Sequence, residues 1–247
     1  MKQLKDVLSD ATYRQEMLCD FSAAADNVLI TIDLVTVACH KKYVEGDVHG
    51  APRVLAVDPA RFGDDRSVIL RRQGLQCFTP KVFTKIDNMR LVAEVVTEIL
   101  DWKPDAVFID AGRGEGVIDR LRQLGYENIF EVNFGSSPFS PGAYVNKRAE
   151  MWDDMKRWLM DGGAIPNLPE LKADLVVPTY DYDAANRMKL EAKDKIKERL
   201  GKSPDIGDAL ALTFAMPIRT KLDAYGRNIG RGGMEFVAKP KEENIFA

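Results

Sequence analysis

Two short apolar runs in this chain each end on a lone carboxylate. "RVLAVDPA", residues 53–60, and "DAVFIDAG", residues 105–112, are continuously apolar up to Asp58 and Asp110, and then pass into small residues. A third run, "NIFEVNFG", follows at residues 128–135. Runs of this kind are the mark of strands buried on both faces, with helices packed above and below the sheet. A buried strand finishing on a charge needs a partner for that charge.

The intervening segments supply the helices. "RSVILRRQG" and "CFTPKVFTKI" surround Gly74 and read as antiparallel neighbours of the first strand. Asp87 and Asn88 are capping residues for a helix whose stripe is Leu91, Val92, Val95, Val96, Ile99 and Leu100. "GVIDRLRQLGY" predicts a helix with Val117, Ile118, Leu121 and Leu124 inward and Gly125 as its C-terminal cap. "NKRAEMWDDMKRWLMDGG" predicts another, with Trp152 and Trp158 in the core, and "LVVPTYDYDAANRMKLEAK" a hairpin turning near Ala185 and Asn186. "SPDIGDALALTFAMP" predicts a last helix with Ser203 as N-cap and Pro204 at its first position, stopping at Pro217. The order of elements predicts an α/β fold: a mixed central sheet with helices on both faces.

Residues 1–50 read as a lead-in containing an amphipathic helix near Ile30–Lys42, residues 51–217 as the main domain, and 218–247 as a flexible tail. No apolar run approaches the ~18 residues of a membrane span, so no membrane partner is expected. The N-terminus lacks the apolar stretch of a signal peptide.

Composition narrows the chemistry. The chain of 247 residues has two histidines and three scattered cysteines, Cys19, Cys39 and Cys77, without CxxC spacing. A zinc ribbon, a disulfide scaffold and a histidine-based triad are therefore poor fits. With a net charge of -3 the chain is not a globally basic DNA binder, and any phosphate contact rests on a local patch.

If the strands ending at Asp58 and Asp110 are parallel neighbours, their carboxylates lie side by side beyond the strand ends, where sites in such sheets gather. A lone Asp at such a place is also an ordinary turn residue. Asp205 and Asp208 are three apart and share one helix face. Asp205 suits a first turn, whereas Asp208 stands at the threshold of an all-apolar, buried segment. Asp58, Asp110 and Asp208, with Asp205 beside them, would form a set of hard oxygen ligands suited to Mg²⁺ or Mn²⁺, and two such ions support in-line phosphodiester hydrolysis. Just ahead of Asp208, "RMKLEAKDKIKERLGK" carries seven basic residues, among them Lys189, Lys193, Lys195, Lys197, Arg199 and Lys202, against three acids. With Arg148, these are candidate contacts to a DNA backbone, though a charge run is also an ordinary solvated face. Asp64 and Asp65 read as turn residues.

"VLAVDPARFGDDRSVI", "VFIDAGRGEGVIDRL", "NKRAEMW" and "SPDIGDALALTF", in that order, resemble the nuclease domain of the large terminase subunit of tailed bacteriophages. The resemblance implies a ribonuclease H-like fold and a two-metal endonuclease that cuts concatemeric double-stranded viral DNA during genome packaging. It implies Asp58, Asp110 and Asp208 as the catalytic, metal-holding acids, with Asp205 metal-linked. It also implies the terminase small subunit and the portal as partners through a full-length protein, and the host cell cytoplasm as the place of action. "YRQEMLCDF" is similar to the segment joining motor to nuclease in that family. The motor's phosphate-binding loop GxxxxGK[ST] is missing from this sequence. A resolvase- or transposase-type nuclease would use the same acids. An actin-like nucleotide switch or a non-enzymatic DNA clamp would share the strand-end aspartates.

Overall fold

The computed structural model describes residues 27–60 and 66–218. Cys19, "YRQEMLCDF", Asp64, Asp65 and the tail beyond Ile218 lie outside them. Eight helices and eight strands occur among the described residues. They are α1 (Ile32–His40), α2 (Glu45–Val48), β1 (Arg53–Asp58), β2 (Arg66–Gln73), β3 (Gln76–Cys77) and β4 (Lys81–Thr84). Then come α3 (Asn88–Trp102), β5 (Ala106–Asp110), α4 (Ala111–Gln123), β6 (Ile129–Val132), α5 (Lys147–Met160) and α6 (Pro169–Val176). Last are β7 (Tyr180–Tyr182), β8 (Met188–Leu190), α7 (Lys193–Leu200) and α8 (Asp205–Leu212).

The central sheet runs β3-β2-β1-β5-β6, with β4 also paired to β2. β1 is antiparallel to β2 and parallel to β5, and β5 is parallel to β6, so the sheet is mixed as the sequence predicts. The runs of β1 and β5 are buried on both faces because their alternate residues feed two separate cores, whereas β6, at the sheet edge with no strand beyond it among the described residues, leaves Phe130 and Glu131 exposed. Val54, Ala56, Val68, Leu70 and Phe108 face the side covered by α1, α5, α6 and α8. Leu55, Val57, Ile69, Val107 and Ile109 face α3 and α4.

Several local expectations shift. Leu100, counted in the α3 stripe, is 61% exposed, and Leu124 also faces solvent. The helix expected from Gly116 starts five residues earlier, at Ala111, directly on the end of β5. This abrupt strand-to-helix turn needs Gly114, where a Cβ would stand 2.9 Å from Ile109 Cγ2 and 3.1 Å from Pro59 Cγ. In the last helix Pro204 is the N-cap, not Ser203, and the helix ends at Leu212 rather than Pro217. α6 is a helix that the sequence pattern does not predict. Its Asp174 accepts from the Ile206 and Gly207 N–H groups at 3.0 and 3.4 Å, capping α8 from a distance of 32 positions in the chain. Packing continues across residue 50: Leu29, Ile30, Val35 and Ala38 are buried in the same core as α5 and α8. The hairpin turns at Asn186, which holds φ +59. No helix among the described residues is long and apolar enough to cross a membrane.

Candidate active site

The parallel register pairs Val57 with Ile109, so Asp58 and Asp110 emerge together at one end of neighbouring strands. α8 packs on β1 and β2 and brings Asp205 and Asp208 to the same end. The Nζ of Lys193, the first residue of α7, lies 3.4 Å from Asp58 Oδ2, 3.6 Å from Asp205 Oδ1 and 3.3 Å from Asp208 Oδ2. Three carboxylates separated by up to 150 positions in the chain thus share one ammonium. Asp110 lies near enough to interact electrostatically with Asp58, Asp208 and Lys193. It also caps α4, its Oδ1 accepting from Gly112 N–H at 3.1 Å, so the turn role and the site role coexist.

The four acids are not equivalent. Asp208 is fully buried, and its Oδ1 accepts from Arg148 Nε at 3.0 Å and from Trp152 Nε1 at 2.8 Å. Burial opposes its ionisation, but Arg148, Lys193 and the indole N–H outweigh burial and hold the carboxyl below the usual range. Its Oδ2 is buried and accepts no hydrogen bond. Asp58 has no such support: burial, aided by the neighbouring acids and opposed by Lys193, pushes it up to about 7. Burial also raises Asp110, against the Gly112 N–H. Lys193 is also shifted upward: burial favours the neutral amine, but Asp58, Asp208 and Asp205 outweigh it and hold the ammonium firmly protonated. Asp205 Oδ2 accepts from the Arg66 backbone N–H at 3.3 Å, and the Arg66 guanidinium bridges to Glu170 at 2.7 Å.

The basic candidates divide. Arg148 is buried, with Nη1 donating to the Glu191 carbonyl at 2.8 Å, so it orients Asp208 and is not placed to meet a DNA backbone. Lys193 is engaged by the acids. Arg199 pairs with Glu191 at 2.8 Å. Lys189, Lys195 and Lys202 are exposed, and Lys197 is half-buried. Lys197 and Lys202 line a cleft of about 110 Å³ beside the acids, together with Arg66, Glu170, Ser203 and Asp205. The sequence predicts only a core position for Trp152. Its hydrogen bond to Asp208 was signalled only by spacing: Arg148 and Trp152 are four apart, on one face of α5. The α8 backbone admits the indole because residue 207 is Gly, where a Cβ would stand 3.0 Å from the ring.

Among the described residues, no three His, Cys, Asp or Glu side chains form a metal-ligand set as they stand, and the Lys193 ammonium occupies the point toward which three carboxylates turn. The donor set nevertheless fits a hard divalent ion. It consists of carboxylate oxygens alone, the orphaned Asp208 Oδ2 is turned to that point, and a cation already stands there.

No protein-family model matches the sequence, and no curated protein matches it. Solved structures do. The nuclease domain of the large terminase subunit gp2 of bacterial virus Sf6 is 18% identical with a TM-score of 0.64, and the match covers 77% of this chain and 100% of that one. A mutant of the same domain with manganese and beta-thujaplicinol is 20% identical at a TM-score of 0.61, over 77% and 100% of the two chains. The large terminase nuclease of thermophilic phage G20c with bound magnesium is 18% identical at a TM-score of 0.54, over 78% and 99%. The chain has the ribonuclease H-like α/β fold of the phage large terminase nuclease domains.

Proposed function

We propose that this chain is a divalent-metal-dependent endonuclease that cuts double-stranded viral DNA during genome packaging. The observation that carries this is the convergence of Asp58, Asp205 and Asp208 on one ammonium, with Asp110 alongside, at the strand-end rim of a ribonuclease H-like sheet. Buried like charges so close together are unfavourable without a cation between them.

Asp58, Asp110 and Asp208 would hold two Mg²⁺ or Mn²⁺ ions, with Asp205 beside them. Such ions lower the pKa of a bound water and neutralise the departing oxygen of a phosphodiester. Arg148 and Trp152 fix one oxygen of Asp208 and leave the other turned to the centre. Lys193 balances the acids when no ion is present. Lys197 and Lys202 put positive charge along the adjoining cleft, and Lys189 and Lys195 are exposed candidates for the same DNA backbone. Through a longer protein carrying a motor, the partners are the terminase small subunit and the portal, in the host cell cytoplasm.

The test is plasmid nicking with Mn²⁺. Wild type converts supercoiled plasmid to nicked and linear forms, and Asp58→Ala does not. Equal cutting by both proteins refutes the assignment of Asp58, and no cutting by either refutes the nuclease. A marked preference for four-way junctions over duplex reassigns the substrate to that of a resolvase.

A further inference from the structure

The loop from Asn133 to Asn146 has no part in the acid cluster, yet three elements of the site bracket it. It leaves β6 one residue after Val132, which pairs with Asp110. Its Phe134 and Ser136 carbonyls accept from the Arg148 and Lys147 N–H groups at 3.0 and 2.9 Å, and the Arg148 side chain touches Asp208. Its far end bonds to β8, Val145 N–H donating to the Met188 carbonyl at 3.0 Å, just ahead of Lys193.

At the loop's apex stands Phe139, 66% exposed between Pro138 and Ser140. Its backbone is held firmly. The two oxygens of the buried Glu150 accept from Phe139 N–H and Ser140 N–H, both at 2.9 Å. The buried Lys147 pairs with Glu150 at 2.7 Å and places its ammonium 3.6 Å from the centre of the Phe139 ring. One side of the ring is thus backed by a cation while most of the ring stays open. A buried ion pair is a weak source of stability, and here its evident effect is to fix an exposed aromatic.

We infer that Phe139 is a stacking platform for a nucleobase of the DNA held at the aspartates; this rests on the nuclease reading. Lys147 and Arg148 are adjacent, one reaching Phe139 and the other Asp208, so the ring lies within about 22 Å of Asp208 by bond lengths alone. That is less than one ~34 Å turn of duplex. Every base has a π-face, so such a platform grips DNA without reading its sequence. The base is either one exposed at a duplex end or an internal one unstacked near the cut.

Phe139→Ala, Phe139→Leu and Phe139→Trp test it. Losing one base stack weakens DNA binding by at least about fivefold. Phe139→Ala and Phe139→Leu should therefore raise KM for Mn²⁺-dependent cleavage of linear duplex DNA, which offers both ends and interior bases, by that factor, with little change in kcat, while Phe139→Trp matches wild type. All should share the wild-type urea midpoint. Short linear duplexes with 2-aminopurine at the end or in the interior identify the base, whose fluorescence is quenched by wild type but not by Phe139→Ala. Unchanged KM and quenching in Phe139→Ala overturn the platform, and so does full function in Phe139→Leu, which would reduce it to apolar contact. A wild type that binds these duplexes with quenching but never cleaves them refutes the nuclease reading and leaves the platform standing.

Discussion

Replacing Lys193 with Met removes the cation that three acids share and keeps most of the side chain's bulk. At 3.3–3.6 Å each ion pair amounts to roughly 5 kcal/mol at an effective dielectric of about 20. Desolvation of the ammonium offsets much of that sum, and the Lys193 side chain is a third exposed, so water screens it. Breaking a buried pair by removing one member costs about 3–5 kcal/mol. We take the lower end, about 3 kcal/mol at pH 8 in EDTA. The loss should depend on pH, because Asp58, already pushed up to about 7, takes up a proton on acidification and relieves the repulsion. Urea unfolding of wild type and Lys193→Met at pH 8 and pH 5 measures this. The variant should lose about 3 kcal/mol at pH 8 and less than half of that at pH 5, and Mg²⁺ should restore its midpoint at pH 8. An equal loss at both pH values, or none, refutes the claim that Lys193 acts as the cation of the cluster.

Three further outcomes follow from the same geometry. Asp58 has a folded-state pKa raised from 3.8 to about 7, so its protonated form stabilises the metal-free fold below about pH 4, and that contribution is lost as pH rises through 7. The full span is about 4 kcal/mol, and Asp58→Asn should flatten this part of the stability–pH curve in EDTA; an unchanged curve contradicts it. Asp208→Asn leaves the buried Arg148 guanidinium without its counter-charge and should destabilise by about 3–5 kcal/mol in urea unfolding besides abolishing cleavage; a wild-type midpoint would show that Arg148 finds another partner. Lys195→Ala with Lys202→Ala should lower the slope of log affinity for duplex DNA against log salt by about 2; an unchanged slope removes both from the DNA track.

The sheet was legible because β1 and β5 bury both faces, which leaves little room for polar residues and makes Asp58 and Asp110 stand out. Asp208 was legible because a charge at the threshold of an apolar helix has few structural excuses, whereas Asp205, an ordinary first-turn acid, drew notice only as its neighbour on the same helix face. What lay hidden was pairing. Nothing local distinguishes Arg148 and Lys193, which meet the acids of the site, from Lys195, which is exposed, or Lys202, whose ammonium instead lies 3.8 Å from the buried Asp174, because the difference is set by how the helices pack. α6 was missed because Asp174, which caps α8, gives no sign in sequence of its distant partner. The predicted Ser203 cap failed for the same reason: the carboxylate serving the α8 N-terminus arrives from another helix. Leu100 and Leu124 were misplaced at helix ends, where apolar spacing continues past the covered surface.

The most direct measurement is the anomalous signal from a crystal soaked in Mn²⁺. Two peaks among Asp58, Asp110, Asp205 and Asp208, with the Lys193 ammonium moved aside, are the predicted result. An ammonium still seated between the acids, with manganese elsewhere or nowhere, would contradict the account.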